Sequence, residues 1–254
     1  MPLLELNHVK KAFGSLFALD DIELSVNKGE VLGIVGPNGS GKTTLLNVIS
    51  GYYHPSGGEI VYKGRKISGL RPDQIARMGI IRTFQQNIVY WDTVTLENVY
   101  RTCYLTAKTN YWQSFFNTPA WVKENKELWT KALEIVQLFG LGDFSFSLAQ
   151  GLPHGKQRSL GMAMALAADP DVLLLDEPLA GMDASEMDVV LGNIRKIIER
   201  GVTIMLVEHN IKTVLSLCPR IVVLNFGHKI ADGSGQEVLK RQGVIEAYLG
   251  GAPP

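Results

Sequence analysis

Val31-Leu32-Gly33-Ile34-Val35-Gly36-Pro37-Asn38-Gly39-Ser40-Gly41-Lys42-Thr43-Thr44 is the stretch that decides the fold. Val31–Val35 is a short, continuous apolar run and reads as a buried strand. A glycine-rich loop follows, and Thr43–Ser50 reads as a helix. Gly36–Thr43 matches the pattern G-x-x-x-x-G-K-[ST] in full. Its glycines let backbone N–H groups turn inward onto phosphate oxygens, and the positive end of the following helix faces the same anion. On this reading Gly36, Pro37, Asn38, Gly39, Ser40, Gly41, Lys42, Thr43 and Thr44 cradle the phosphates of a nucleotide. Lys42 reaches the β- and γ-phosphates, and Thr43 holds Mg²⁺. A turn-forming glycine loop is the bland alternative; the strand before it supplies the context that the phosphate reading requires.

Two further strands end in chemistry. Val172-Leu173-Leu174-Leu175 delivers Asp176 and Glu177 at its carboxyl end, where open α/β sheets bind ligands. Asp176 is placed to hold Mg²⁺ through water, and Glu177 to polarise an attacking water. Taken alone, this is also the look of a strand followed by an acidic turn. Val202–Val207 leads to His209, which reaches a γ-phosphate if the strands are neighbours; a lone histidine is more often a surface or capping residue. Together the three strands imply in-line phosphoryl transfer to water.

Around them, Leu4–Val9, Ile22–Val26, Glu59–Tyr62, Gly79–Phe84, Ile221–Leu224 and Lys229–Ala231 read as strands. Leu96–Leu105, Lys123–Phe139, Gln157–Ala168 and Ser185–Arg200 read as helices. Val172–Leu175, Ser185–Arg200 and Val202–Val207 form a βαβ unit whose apolar strands suit the middle of a parallel sheet. All four tryptophans fall between Trp91 and Trp129, in a stretch poor in strand signals. The aromatics there are expected to form mostly the core of a helical lobe, the alternative being a groove that receives a helix of a partner. The organisation expected is residues 1–86 as the first part of the ATP-binding core, 87–167 as a helical subdomain, 168–250 as the second part of the core and 251–254 as a frayed tail.

Composition narrows the function. The 254 residues carry 25 Lys plus Arg and 25 Asp plus Glu, a balance without the electrostatic footprint of a nucleic-acid binder. Cys103 and Cys218 lack metal-ligand spacing. The amino terminus lacks the basic and apolar regions of a secretory signal, and no apolar run approaches the ~18–20 residues that span a bilayer. A cytosolic or peripheral protein is expected, held at any membrane by its partners.

In this motif order the chain resembles the ATP-binding subunits of ABC transporters from Leu4 to Gly250. Gly36–Thr43 resembles Walker A, and Leu173–Glu177 resembles Walker B with its adjacent glutamate. Gln85, in Arg82-Thr83-Phe84-Gln85, resembles the Q-loop glutamine, which implies contact with Mg²⁺ and a link from the site to the helical lobe. Asp183, in Ala180-Gly181-Met182-Asp183, resembles the D-loop, and His209 the switch histidine. Phe13 stands where the family stacks an aromatic ring on adenine, although by itself it reads as a packing residue. Leu152-Pro153-His154-Gly155-Lys156-Gln157-Arg158 occupies the place of the signature Leu-Ser-Gly-Gly-Gln and departs from it. Pro153 brings neither hydroxyl nor N–H, so Gly155, the helix start and His154 remain to contact a phosphate. Pro153 itself suits a first helical turn.

The resemblance implies an α/β fold: a P-loop NTPase core of the ABC kind, with an antiparallel β subdomain and an inserted helical subdomain. Ile49–Ile60, Arg82–Gln85, the insert around Thr106–Trp129 and Ala247–Gly250 resemble the branched-chain amino-acid importers more closely. That implies a second ATP-binding subunit, two membrane permease subunits, an extracytoplasmic solute-binding protein, and a peripheral place on the cytoplasmic face of the membrane. The weakened signature leads to an expectation of two different ATPase chains, with the site at Lys42 hydrolysing faster. Import of urea or short amides, a soluble mechanical ATPase on nucleic acid or ribosomes, a GTPase switch and a non-hydrolytic scaffold are the competing readings. One cassette, no heptad run and no net positive charge count against the mechanical ATPase. Asn125-Lys126-Glu127-Leu128 lacks the aspartate that guanine recognition needs.

Overall fold

The computed structural model of the protein describes residues 1–83 and 89–249. Its contacts divide these into two units. Residues 1–82, 171–178 and 198–254 form the first, and 83–170 with 179–197 form the second.

In the first unit, alternating burial builds an antiparallel sheet. Its strands are β1 (Leu4–Phe13), β2 (Leu16–Val26), β4 (Gly57–Tyr62) and β5 (Arg65–Lys66), in the order β2-β1-β4-β5. The second sheet holds β3 (Val31–Val35), β6 (Ile80–Thr83), β7 (Val172–Asp176), β8 (Thr203–Val207), β9 (Arg220–Asn225) and β10 (His228–Gly233), in the order β10-β9-β3-β8-β7-β6. β7, β8, β3 and β9 run parallel, and β10 returns antiparallel to β9. Every residue of β3, β7 and β8 is buried, which is why these strands read as unbroken apolar runs. Helices α1 (Lys42–Ile49), α2 (Pro72–Arg77), α8 (Ile211–Leu217), α9 (Gly235–Val238) and α10 (Gln242–Leu249) complete the unit. One core joins the inward faces of both sheets to Leu45, Leu46, Val48 and Ile49 of α1.

The second unit is helical: α3 (Thr95–Cys103), α4 (Tyr111–Phe115), α5 (Pro119–Leu138), α6 (His154–Ala167) and most of α7 (Ala184–Glu199). α3, α5 and α6 pack on one another. Leu96, Val99, Ala132, Val136 and Leu160 are among their fully buried residues. The buried Asn98 side chain accepts the Tyr90 N–H and donates to the carbonyls of Tyr90, Thr93 and Val94, anchoring the chain that enters α3.

The structure differs from the sequence reading in two places. Residues 179–197, assigned above to the core, group with the helices. Asn193 on α7 donates to Ser159 on α6, and Lys196 donates to the Leu138 carbonyl that ends α5. The aromatics of 91–129 are not the lobe's core: Trp91, Tyr104, Tyr111, Trp112, Phe115, Phe116 and Trp129 are exposed. Aliphatic and small side chains fill the helix contacts instead, and four of these rings lie on or just after α4, a helix too short to bury a face. Phe84–Ile88 and 250–254 lie outside the described residues. So therefore do Gln85, the expected boundary at 86 and 87, and the tail.

Candidate functional site

The parallel register brings the predicted chemistry to one edge of one sheet. Ile34 of β3 and Asp176 of β7 both pair with Val207 at the end of β8. The chain therefore leaves all three strands at the same level, into the glycine loop, into Glu177 and into Glu208-His209.

The loop is shaped by what surrounds it. A Cβ on Gly36 would stand 2.1 Å from the Leu224 carbonyl oxygen, so only glycine fits there. Gly41, at φ 104°, is the left-handed residue that starts α1, and a Cβ on it would stand 2.5 Å from the Ala18 carbonyl oxygen. Among the described residues no side chain caps α1, and its first turn holds no acid, so its amino-terminal N–H groups keep their positive end for an anion. Asn38, Gly39 and Thr43 are exposed, Pro37 and Thr44 are half-buried, and Ser40 is buried. Lys42 is also buried. Its ammonium donates to the Gly36 and Pro37 carbonyls, each at 2.8 Å. Burial pushes its pKa below the usual lysine value, against the opposing pull of Glu177 and Asp176.

Asp176 closes the far side. Its Oδ2 accepts from Arg82 at 2.8 Å in an ion pair whose side chains are only 7% and 6% exposed, and Arg82 also donates to Asn47 on α1. Oδ1 of Asp176 and Oγ of Ser40 are buried with no hydrogen-bond partner among the described residues. Such atoms are costly unless a ligand satisfies them. Glu177 adopts φ 48°, a left-handed backbone that costs a non-glycine residue about 1–2 kcal/mol, held by its N–H donating to the Val207 carbonyl. That turn aims its carboxylate at His209, with Oε1 2.6 Å from Nε2.

Pro153 is the N-cap of α6, one position earlier than a first-turn proline, and its carbonyl accepts from the N–H groups of Lys156 and Gln157. A residue there needs no N–H for the helix, so proline costs little. No side chain caps α6. His154 is exposed, with Nδ1 3.7 Å from the Glu186 carboxylate, and Gly155 is half-buried. Asp183 caps α7: its Oδ1 accepts from the Ser185 hydroxyl and the Glu186 N–H, and these bonds hold its carboxyl below the usual range. Phe13 lies at the end of β1, partly exposed, edge-on to Tyr53 at 5.1 Å and beneath the Lys11 ammonium.

Sequence reasoning missed Arg82 as a site residue. Its motif was visible, but its partner depends on β6 lying beside β7, which no local pattern encodes.

Residues 19–180 match the sequence profile of the family described as ABC transporter. The chain belongs to this family. It is 35% identical over 254 residues to the high-affinity branched-chain amino acid transport ATP-binding protein LivG of Salmonella typhimurium, covering 99% of each chain. Among solved structures it is similar to an ATP-binding cassette of an ABC transporter in its ADP conformation (TM-score 0.84, 30% identity, 98% of this chain and 99% of that one). It is also similar to a dimeric ATP-binding cassette in a post-hydrolysis state bound to ADP and phosphate (TM-score 0.75, 26% identity, 91% and 98% covered). As an ABC transporter cassette the chain binds and hydrolyses ATP, and it works with membrane-spanning partner chains. No helix among its described residues is long and apolar enough to cross a membrane.

Magnesium fits the donor set. One threonine hydroxyl and one carboxylate with an unsatisfied oxygen suit an ion that keeps most of its water and arrives with nucleotide phosphates.

Proposed function

We propose that this ATP-hydrolysing cassette drives uptake of branched-chain amino acids from the cytoplasmic face of a cell membrane. Its partners are a second, different ATP-binding chain, two permease subunits and an extracytoplasmic solute-binding protein. The full-length similarity to LivG supports the substrate class. The observation that carries the chemistry is the Glu177–His209 contact at the sheet edge that also carries the glycine loop and Asp176.

On this reading Gly36–Thr44 and the start of α1 bind the phosphates, and Lys42 moves from its two carbonyl acceptors to the β- and γ-oxygens. Phe13 offers its ring face to adenine. Thr43, Asp176 and Gln85 would hold Mg²⁺, which would supply positive charge against the phosphate oxygens when bound. Glu177 accepts a hydrogen bond from the attacking water, and His209, released from its contact with Glu177, turns to the γ-phosphate. Pro153, His154 and Gly155 present the uncapped start of α6 to the nucleotide of the partner cassette, and Asp183 lies along the shared interface.

The test begins with a tagged chain purified from detergent-solubilised native membranes. Two polytopic proteins and a second ATPase are expected to co-purify. Reconstituted with the cognate binding protein, the complex is expected to hydrolyse ATP faster with leucine, isoleucine or valine than with urea. Stimulation by urea or a short amide alone would overturn the substrate. Co-purification with ribosomes or DNA and no membrane protein would overturn the complex proposed here.

A further inference from the structure

The segment around α4 has no part in the nucleotide chemistry, yet it is the most conspicuously apolar surface of the second unit. Tyr111, Trp112, Phe115 and Phe116 are 73%, 65%, 62% and 68% exposed. Among the described residues their recorded ring contacts are with one another: Tyr111 with Trp112 and Phe115, Trp112 with Phe115 and Phe116, and Phe115 with Phe116. Bulky rings gathered in water are costly and mark a surface meant to be covered.

The segment is held rather than loose. Asn110 and Gln113 cap α4 reciprocally, and the Thr118 hydroxyl accepts from Trp121 at the start of α5. The Glu124 carboxylate accepts the N–H groups of Lys108 and Thr109 and the Thr109 hydroxyl. The rings are therefore presented at the head of a fixed loop.

Charge indicates what covers them. From Asn98 to Lys123 there is no aspartate or glutamate, while Arg101, Lys108 and Lys123 are basic. Arg101 is paired with Glu97, and Lys108 is close enough to Glu124 to help the Thr109 hydroxyl hold that carboxyl below its usual range, whereas the ion pairs found among the described residues leave out Lys123. The nearest following acid, Glu124, is engaged by the loop it clamps. A patch of Tyr, Trp and Phe flanked by lysines suits the boundary of an anionic bilayer: the rings enter at headgroup level and the ammonium groups meet lipid phosphates. The chain's family works at a membrane, so that surface is at hand.

We propose that Tyr111, Trp112, Phe115 and Phe116, with Lys108 and Lys123, dock this cassette directly on the anionic lipid surface beside its transporter.

The test uses the full-length purified chain and sedimentation with vesicles of phosphatidylcholine alone, or of equal parts phosphatidylcholine and phosphatidylglycerol. Wild type is expected to bind the mixed vesicles and to release as salt rises. The variant Trp112→Ser/Phe115→Ser/Phe116→Ser is expected to lose about tenfold or more in partitioning, with ATP binding in solution unchanged. Lys108→Gln/Lys123→Gln is expected to lose binding to the mixed vesicles only. A chain retaining only Trp112, with the other tryptophans changed to Phe, is expected to be quenched by brominated lipid. Absence of binding by wild type, or equal binding by the triple variant, overturns the proposal. So does a triple variant that fails to assemble with the permease chains in detergent while wild type ignores vesicles, because that places the patch against protein.

Discussion

The strand edge that carries Lys42, Asp176 and Glu177 and the turn that carries Pro153, His154 and Gly155 are both proposed to hold a phosphate, and they are built in opposite ways. At the edge the charges are paired, and two of them are buried: Lys42 on two carbonyls and Asp176 on Arg82, with the half-buried Glu177 against the exposed His209. At the turn the groups are exposed or half-buried, and the helix start has neither a side-chain cap nor an acid in its first turn. The difference follows from completeness. The edge is closed by three strands of its own chain, so its charges are preorganised and need little rearrangement. The turn is backed by its own helix and by Glu186 of α7, with no strand carrying charge to it, and on the proposed reading it becomes a site when another cassette brings a nucleotide to it.

The largest expected effect tests whether the edge is the chemical half. Glu177→Gln is expected to reduce phosphate release about 10²- to 10⁴-fold, while ATP affinity by nucleotide titration stays within a few-fold. The equivalent change in the partner ATPase is expected to cost less, because that site relies on the turn at Pro153. Equal losses would erase the asymmetry.

Next is Arg82→Met, which leaves the Asp176 carboxylate buried without its cation. The expected loss is about 3–5 kcal/mol of unfolding free energy, read by denaturant titration. Added ATP and Mg²⁺ are expected to return part of it by binding only the folded state. A loss below about 1 kcal/mol, the range of an exposed pair, would show that the edge is wetter than its burial indicates.

The smallest effect sharpens the turn. Pro153→Ser adds a side-chain cap, worth about 1 kcal/mol. It also loosens the unfolded chain, at a cost of about 0.4–1 kcal/mol. The two nearly cancel, so Tm is expected to hardly move. Hydrolysis at the partner's site is expected to rise about two- to tenfold, the value of one added hydrogen bond. A change in Tm with no change in rate would assign the turn a purely structural role.

How much of this was legible in the sequence follows the same division. Gly36–Thr43 is legible because its spacing is a geometric demand, and β3, β7 and β8 because two-sided burial forces continuous apolar runs. The Arg82–Asp176 pair was not legible, since it depends on which strand lies next to β7. The short helices α2, α4 and α8 complete too few turns to show a period. The aromatics of α4 were misread because their composition suits a core, while their placement depends on the smaller residues that fill the helix contacts.

The sheet order has one more consequence, in time. β3 emerges early from the ribosome, but its neighbours β8 and β9 lie at 203–207 and 220–225. At a synthesis rate of roughly 5–20 residues per second, the strand waits roughly ten to forty seconds for them. Throughout that interval the phosphate loop hangs from an unpaired apolar strand. The newborn chain therefore lacks both sheet neighbours of this strand for most of its synthesis, and a premature stop before β8 leaves an exposed strand edge for chaperones or proteases.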